Sequence, residues 1–220
     1  MNIVAFETAT PSGGVALLRG DRLAACSLIG AQRAHSRLCL DLADRMLATE
    51  GLAWKDVDVL AASHGPGSFT GVRVALTLAK SLAFALAKPL VTVGSLDALA
   101  LNACDGERPV AAVMDARRGE VYAAVFRPDG DGLAPLGEPL VAAPEGLAEA
   151  LAQRCTGPGI LCGEGAAALA SLPAGWVLAR GDRMRATPAT TAWLARRKAL
   201  REEWADVAGA APVYLREAIG

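Results

Sequence analysis

The nine residues Gly65-Pro66-Gly67-Ser68-Phe69-Thr70-Gly71-Val72-Arg73 join the apolar run ending at Ala61-Ala62-Ser63-His64 to a long apolar stretch, Val74 to Ala87. A glycine-rich turn between a strand and a helix calls for backbone in unusual conformations or in close approach. It also leaves N–H groups at the positive end of the helix, which suit an anion or a tightly packed partner. The spacing excludes two common phosphate-binding patterns. A Walker A loop ends in Gly-Lys-Ser/Thr, whereas Gly71 is followed by Val72-Arg73. The dinucleotide fingerprint is G-x-G-x-x-G, and here the spacing is one residue longer.

Around this turn the chain reads as alternating strands and helices. Asn2 to Phe6, Val15 to Leu18 and Leu23 to Ile29 have strand character, with turns at Thr8 to Gly14 and Gly20-Asp21. A helix from about His35 to Glu50 stops at Gly51, and Val57 to Ala62 is a buried strand. Phe69 to Ala87 is a second helix ended by Pro89; Leu90 to Val93 is a strand, and Ser95 starts a third helix through Asn102. The second helix is apolar nearly all round, which predicts burial on two sides: its own sheet on one, a further layer or another chain on the other.

Near residue 108 the pattern restarts. Val110 to Ala116 mirrors Ile3 to Ala9, and Val121 to Arg127 mirrors Val15 to Arg19. This predicts a duplicated α/β unit, two-lobed with a mixed sheet in each lobe, divided into residues 1–104 and 105–220. The second half is eroded by Gly and Pro between 128 and 165; its clear helix is Pro188 to Trp204, followed by the tail Pro212 to Arg216.

Composition narrows the function. With 22 basic and 23 acidic residues, the chain has no bulk attraction to nucleic acid or anionic membrane, although a local basic patch fits. The five cysteines are scattered without C-x-x-C, as expected of buried thiols in a reducing compartment. The N-terminus lacks signal-peptide character, and Arg73 and Lys80 interrupt the longest apolar run; a soluble cytoplasmic protein is expected.

Candidate chemistry is sparse. The two histidines, His35 and His64, form no ligand pair, so no metal site is expected. Ser68, Thr70 and His64 invite a nucleophile reading, but no G-x-S-x-G elbow is present and Ser68 or Thr70 fits a helix cap. A two-lobed nucleotide-hydrolysing fold of the actin and sugar-kinase type needs an acid in each strand-turn-strand. Glu7, Thr8 and Thr10 stand in the first such turn and Asp115, Arg117 and Arg118 in the second, as degenerate phosphate turns. Two arginines beside a glycine can hold a phosphate or carboxylate. A stand-alone ATPase or small-molecule kinase is therefore the competing reading.

These motifs together resemble one family. The loop Gly65, Pro66, Gly67, Ser68, Phe69, Thr70, Gly71 with Arg73 looks like the signature of the bacterial TsaB (YeaZ) proteins. So do Glu7-Thr8-Ala9-Thr10, Ala34-His35-Ser36, Gly94 to Ala100, Asp115 to Tyr122 and Pro212 to Arg216, in order along the chain. The resemblance implies the duplicated actin-like (ribonuclease H-like) fold and a role in making threonylcarbamoyladenosine in tRNAs that read ANN codons. It implies a non-catalytic subunit without catalytic or metal-binding residues of its own. The partners implied are a TsaD-like paralogue that performs the transfer, a TsaE-like ATPase, and a second copy of the chain when alone. tRNA would be met only through the complex. No cofactor is expected on this chain by itself, with ATP or ADP entering in the assembly. Candidate interface residues lie on the two first-lobe helices: His35, Leu38, Leu42 and Met46, then Val72, Leu76, Ala79 and Ala83. Glu7 departs from the Asp usual to the family's first turn, which argues against autonomous nucleotide hydrolysis.

Overall fold

The computed structural model describes residues 1–29, 36–169 and 171–215. The chain forms two compact units, one from Met1–Ser95 with Thr187–Val213, the other from Leu96–Ala186 with Tyr214 and Leu215.

In the first unit, β1 (Asn2–Glu7), β2 (Gly14–Arg19) and β3 (Arg22–Leu28) form an antiparallel meander. β4 (Val59–Ser63) and β5 (Leu90–Val93) lie parallel to β1, giving the order β3-β2-β1-β4-β5. Both faces of β1 are apolar and buried, as befits a strand covered on two sides. Alternation divides its side chains. Val4 and Phe6 join a core with Cys39, Ala43 and Leu47 of α1 (Ser36–Thr49) and Ala75, Leu76 and Ala79 of α2 (Phe69–Leu86). Residues 3, 5 and 7 point to the opposite face, where α5 (Pro188–Leu200) packs with small residues, Ala192, Ala195 and Ala199 among them. Gly51, at φ 68°, closes α1 as its sequence predicts. α2 ends one step before the expected Ala87, which adopts φ 50° and passes its N–H back to Ala83 and Phe84.

The second unit repeats the plan. β6 (Val110–Arg117) and β7 (Glu120–Asp129) form a hairpin, extended by β8 (Gly132–Pro135) and flanked by β9 (Leu140–Ala142). β10 (Ile160–Cys162) and β11 (Val177–Leu178) run parallel to β6, so the order β11-β10-β6-β7-β8 reproduces β5-β4-β1-β2-β3 of the first sheet. α4 (Pro144–Arg154) buries Leu147 and Leu151 against Val121, Ala123 and Val125, and α3 (Ser95–Ala103) lies within this unit from Leu96 onward.

The duplicated α/β fold with a mixed sheet in each half is thus present, but its division differs from 1–104 and 105–220. The helix beginning at Pro188 ends at Leu200, short of Trp204, and packs on the first sheet. A restarted strand pattern shows where a repeat begins; it carries no information on which sheet a late helix covers. The thiols also differ from expectation: Cys39 and Cys162 are buried, Cys104 and Cys155 half-buried, and Cys26 exposed on the edge strand β3. α2 is long and apolar enough to cross a bilayer by composition, yet Val72, Ala75, Leu76, Ala79 and Ala83 face the core of the first unit.

Candidate functional site

The carboxyl ends of β1, β4 and β5 bring the first acid turn and the glycine turn together. They meet by backbone contact. Ser68 N–H donates to the Ala9 carbonyl at 2.8 Å, and Thr8 Oγ1 donates to the Gly71 carbonyl at 2.5 Å. A Cβ on Gly71 would overlap the Thr8 carbonyl oxygen, and one on Gly67 the Ala9 carbonyl oxygen. The glycines therefore serve close approach of two chain segments. Gly65, at φ 102°, accepts from Ser95 N–H at 2.9 Å, and a Cβ there would stand 2.8 Å from the Val213 carbonyl oxygen. The tail lies against this turn: Val213 N–H donates to the His64 carbonyl at 2.8 Å.

Ser68 is the N-cap of α2, its Oγ accepting from Gly71 N–H at 3.2 Å. That bond engages the hydroxyl which a nucleophile reading would have used. His64 has its pKa pushed down to about 4, chiefly by burial and secondarily by the nearby Lys198 ammonium, so its imidazole is neutral at pH 7. The signature residues that do face outward are Ser68, Phe69, Thr70 and Arg73, with the Arg73 guanidinium 3.8 Å above the Phe69 ring.

Glu7, Thr8 and Thr10, expected to form a degenerate phosphate turn, are all buried. The Glu7 carboxyl accepts from Ala9 N–H at 2.8 Å and from the Thr191 hydroxyl of α5 at 3.3 Å. Burial is the largest influence and raises its pKa from 4.5 to about 7, against the lowering effect of hydrogen bonds from Ala9, Ser63, Thr191 and Thr10. Ser63 is near enough to exert that effect, although its hydroxyl makes no hydrogen bond of normal geometry among the described residues. An enclosed carboxyl whose oxygens are taken by Ala9 N–H and the Thr191 hydroxyl is poorly placed to hold a metal–phosphate. The second acid turn is different. Asp115, Arg117 and Arg118 are exposed at the β6–β7 hairpin; Asp115 accepts from Arg117 N–H at 2.7 Å and pairs with its guanidinium at 3.2 Å.

The candidate interface residues divide in the same way. Val72, Leu76, Ala79, Ala83 and Met46 are core residues, Leu38 and Leu42 are half-buried, and His35 lies outside the described residues. On α2 the outward stripe is instead Phe69, Arg73, Thr77 and Phe84, with Phe69 56% and Phe84 82% exposed. A helix apolar on every side has no phase that tells core from surface. Sequence reasoning also missed Thr191 and the strap Ala205–Val213. No local motif ties Thr191 to Glu7. The one signal for the strap is Lys80, an ammonium on an apolar helix, which donates to the Ala208 and Ala210 carbonyls at 3.0 and 2.7 Å.

Comparison with known proteins agrees with this picture. The family model described as TsaD, tRNA N6-adenosine threonylcarbamoyltransferase, matches residues 30–162. The tRNA threonylcarbamoyladenosine biosynthesis protein TsaB of Haemophilus influenzae is 42% identical over 126 residues, 56% of this chain and 52% of that protein. The protein of the same description from Bacillus subtilis is 35% identical over 127 residues, 58% of this chain and 56% of that one. The aligned stretch thus spans little more than half the length of these curated relatives. YeaZ from Pseudomonas aeruginosa superimposes with a TM-score of 0.82 at 28% identity, covering 97% of this chain and 99% of that one. With more than half of its length inside the family model and its whole fold shared with YeaZ, the chain belongs to the TsaD family and, within it, to the TsaB (YeaZ) group.

Proposed function

We propose that this chain is a non-catalytic subunit for threonylcarbamoyl transfer to the anticodon-adjacent adenosine of tRNAs that read ANN codons. It works in the cytoplasm with a TsaD-like enzyme, which performs the transfer, and with a TsaE-like ATPase; alone, it pairs with a second copy of itself. tRNA is engaged through the assembly, and the chain holds no cofactor of its own. The relatives' role in tRNA threonylcarbamoyladenosine biosynthesis supports the pathway.

The observation that carries the non-catalytic part is the closure of the first unit's turn. The Thr8 and Ala9 backbone fills the approach to Gly67 and Gly71, and Glu7 sits enclosed, hydrogen-bonded to Ala9 N–H and the Thr191 hydroxyl. Phosphoryl chemistry works by positioning metal and donors around an open phosphate, and this turn offers its donors to its own carbonyls. The test is reconstitution from purified components with an unmodified ANN-reading transcript. Threonine incorporation is expected only when this chain and a TsaD-like enzyme are both present, with no ATP turnover by this chain alone. Steady-state ATP hydrolysis or sugar phosphorylation by the isolated chain overturns the reading and favours a stand-alone kinase or ATPase.

A further inference from the structure

The second unit carries a feature that this function does not absorb. β6, β10 and β11 are parallel, so the segments following them meet at one edge of the sheet. Of those segments, residues 115–120 and 180–185 hold Arg117, Arg118, Arg180, Arg183 and Arg185, all exposed, with Arg183 donating to the Ala103 and Cys104 carbonyls, while residues 163–165 contribute Glu164. This edge takes five of the eight arginines in residues 96–186, but four of the twelve carboxylates. The remainder of the unit is strongly acidic, so its positive charge is segregated here.

The hairpin at this edge departs from local preference. Arg117 pairs with Glu120 across the ladder, leaving Arg118-Gly119 as a two-residue connection. Both central residues have positive φ, 57° and 79°, and Arg117 itself stands at 64° beside a register shift. Such connections favour Asn-Gly or Asp-Gly, because an ordinary side chain is strained there. Two consecutive arginines are held in that conformation with their side chains in solvent, Arg117 86% exposed. Packing does not account for them. Strain at an exposed charged turn points to a ligand.

We infer that this edge contacts the sugar–phosphate backbone of RNA, through Arg117 and Arg118 first and the arginines after β11 second. The inference rests on the reading that the chain works in tRNA modification. A polyanion fits better than a single phosphate group. The arginines follow two strands, β6 and β11, with β10 and its Glu164 between them, so at the usual strand spacing the two groups stand about 10 Å apart. The glycine turn between them offers no cradle: a Cβ on Gly163 would overlap the Val113 carbonyl oxygen, and one on Gly165 would lie 2.8 Å from the Met114 carbonyl carbon. Asp115 accepts from Arg117 N–H with one oxygen and pairs with the Arg117 guanidinium at 3.2 Å through the other, which shapes the turn and leaves Arg118 outward.

The probe is an unmodified tRNA transcript, titrated with the full chain in complex with a TsaD-like enzyme by fluorescence anisotropy across a salt series from about 50 to 200 mM, a range over which several phosphate contacts separate clearly. The variant is Arg117→Asn with Arg118→Asn, which suits positive φ and is expected to leave the melting temperature unchanged or higher. Each lost phosphate contact lowers the slope of log K against log salt by about 1, so the double variant should lose about 1–2 and bind about tenfold more weakly at the lowest salt. Arg37→Asn with Arg45→Asn, on the exposed face of α1, should leave the slope unchanged.

An unchanged slope in the complex carrying the hairpin variant overturns the inference. A variant that keeps its RNA slope but no longer binds a TsaD-like enzyme also overturns it, since the arginines would then serve an acidic protein surface. The two readings fail separately. If the slope falls but the chain does not support threonine incorporation, the proposed function fails and the RNA contact stands. If incorporation is supported and the slope is unchanged, the reverse holds.

Discussion

Glu7→Gln should stabilise this protein at alkaline pH and do little at acid pH. The wild-type carboxyl is enclosed among Ala9, Ser63 and Thr191 with no cation against it among the described residues, and burial raises its pKa from 4.5 to about 7. Below pH 4.5 the group is protonated in the folded and unfolded chain alike, and the penalty is absent. Between 4.5 and about 7 the unfolded chain releases a proton that the folded chain retains, so stability falls as pH rises; above about 7 the loss is complete. At 1.36 kcal/mol per pH unit, the loss amounts to about 3 kcal/mol. Glutamine is free of it. Its carbonyl oxygen can keep the Ala9 N–H, and its amide can donate to the Thr191 and Ser63 hydroxyls. Allowing about 1 kcal/mol for imperfect geometry, the variant should gain about 2 kcal/mol at pH 8, or about 4–8 °C in melting temperature for a chain this long. Scanning calorimetry of both proteins at pH 5, 6, 7 and 8 measures it. The difference should open between pH 5 and 7 and level off by pH 8. A difference that stays constant with pH, or a variant that loses stability most at pH 8, would refute the reasoning and mean that Glu7 is a stabilised carboxylate.

The other substitutions separate packing from surface. Gly71→Ala should cost about 1–3 kcal/mol, because its Cβ would overlap the Thr8 carbonyl, whereas Ser68→Ala should cost about 0.5–2 kcal/mol as a lost cap; urea titration ranks them. Leu76→Glu places a charge in the first unit's core, where Leu76 is 3% exposed, and should cost more than about 4 kcal/mol. Phe84→Glu should leave stability within about 0.5 kcal/mol while weakening self-association in sedimentation; full association of that variant places the contact elsewhere. Lys80→Met leaves the Ala208 and Ala210 carbonyls without their ammonium, at about 1–3 kcal/mol; hydrogen exchange over 205–213 should rise, and unchanged protection would show that the strap is held by other contacts.

What the sequence makes legible follows its periodicities. The repeat of Ile3–Ala9 in Val110–Ala116 is visible because each is an apolar strand running into an acid, and the structure places both in the same position of two equivalent sheets. The glycine turn is legible because Gly67 and Gly71 answer a local steric need. α4 and the short strands β8 to β11 escape notice because Gly and Pro interrupt any period in the second half. The Glu7–Thr191 contact escapes for a different reason: it joins residues 184 apart, and a threonine on a helix carries no mark of the strand it will meet. The face of α2 was unreadable because leucine and alanine stand on every side of it. Its polar residues Arg73, Thr77 and Ser81 mark the outer stripe once the fold is known, while Lys80 reaches the Ala208 and Ala210 carbonyls.

The central claim is that the first unit's acid turn is structural and the chain supports transfer without performing it. Threonine incorporation by the reconstituted system with Glu7→Gln, resolved into maximal rate and half-saturating concentration of this subunit, tests it most directly. The account predicts the same maximal rate as wild type at saturating subunit, with any change confined to the concentration required. A maximal rate lowered a hundredfold or more, with folding and association intact, would make Glu7 a working carboxylate and contradict the account.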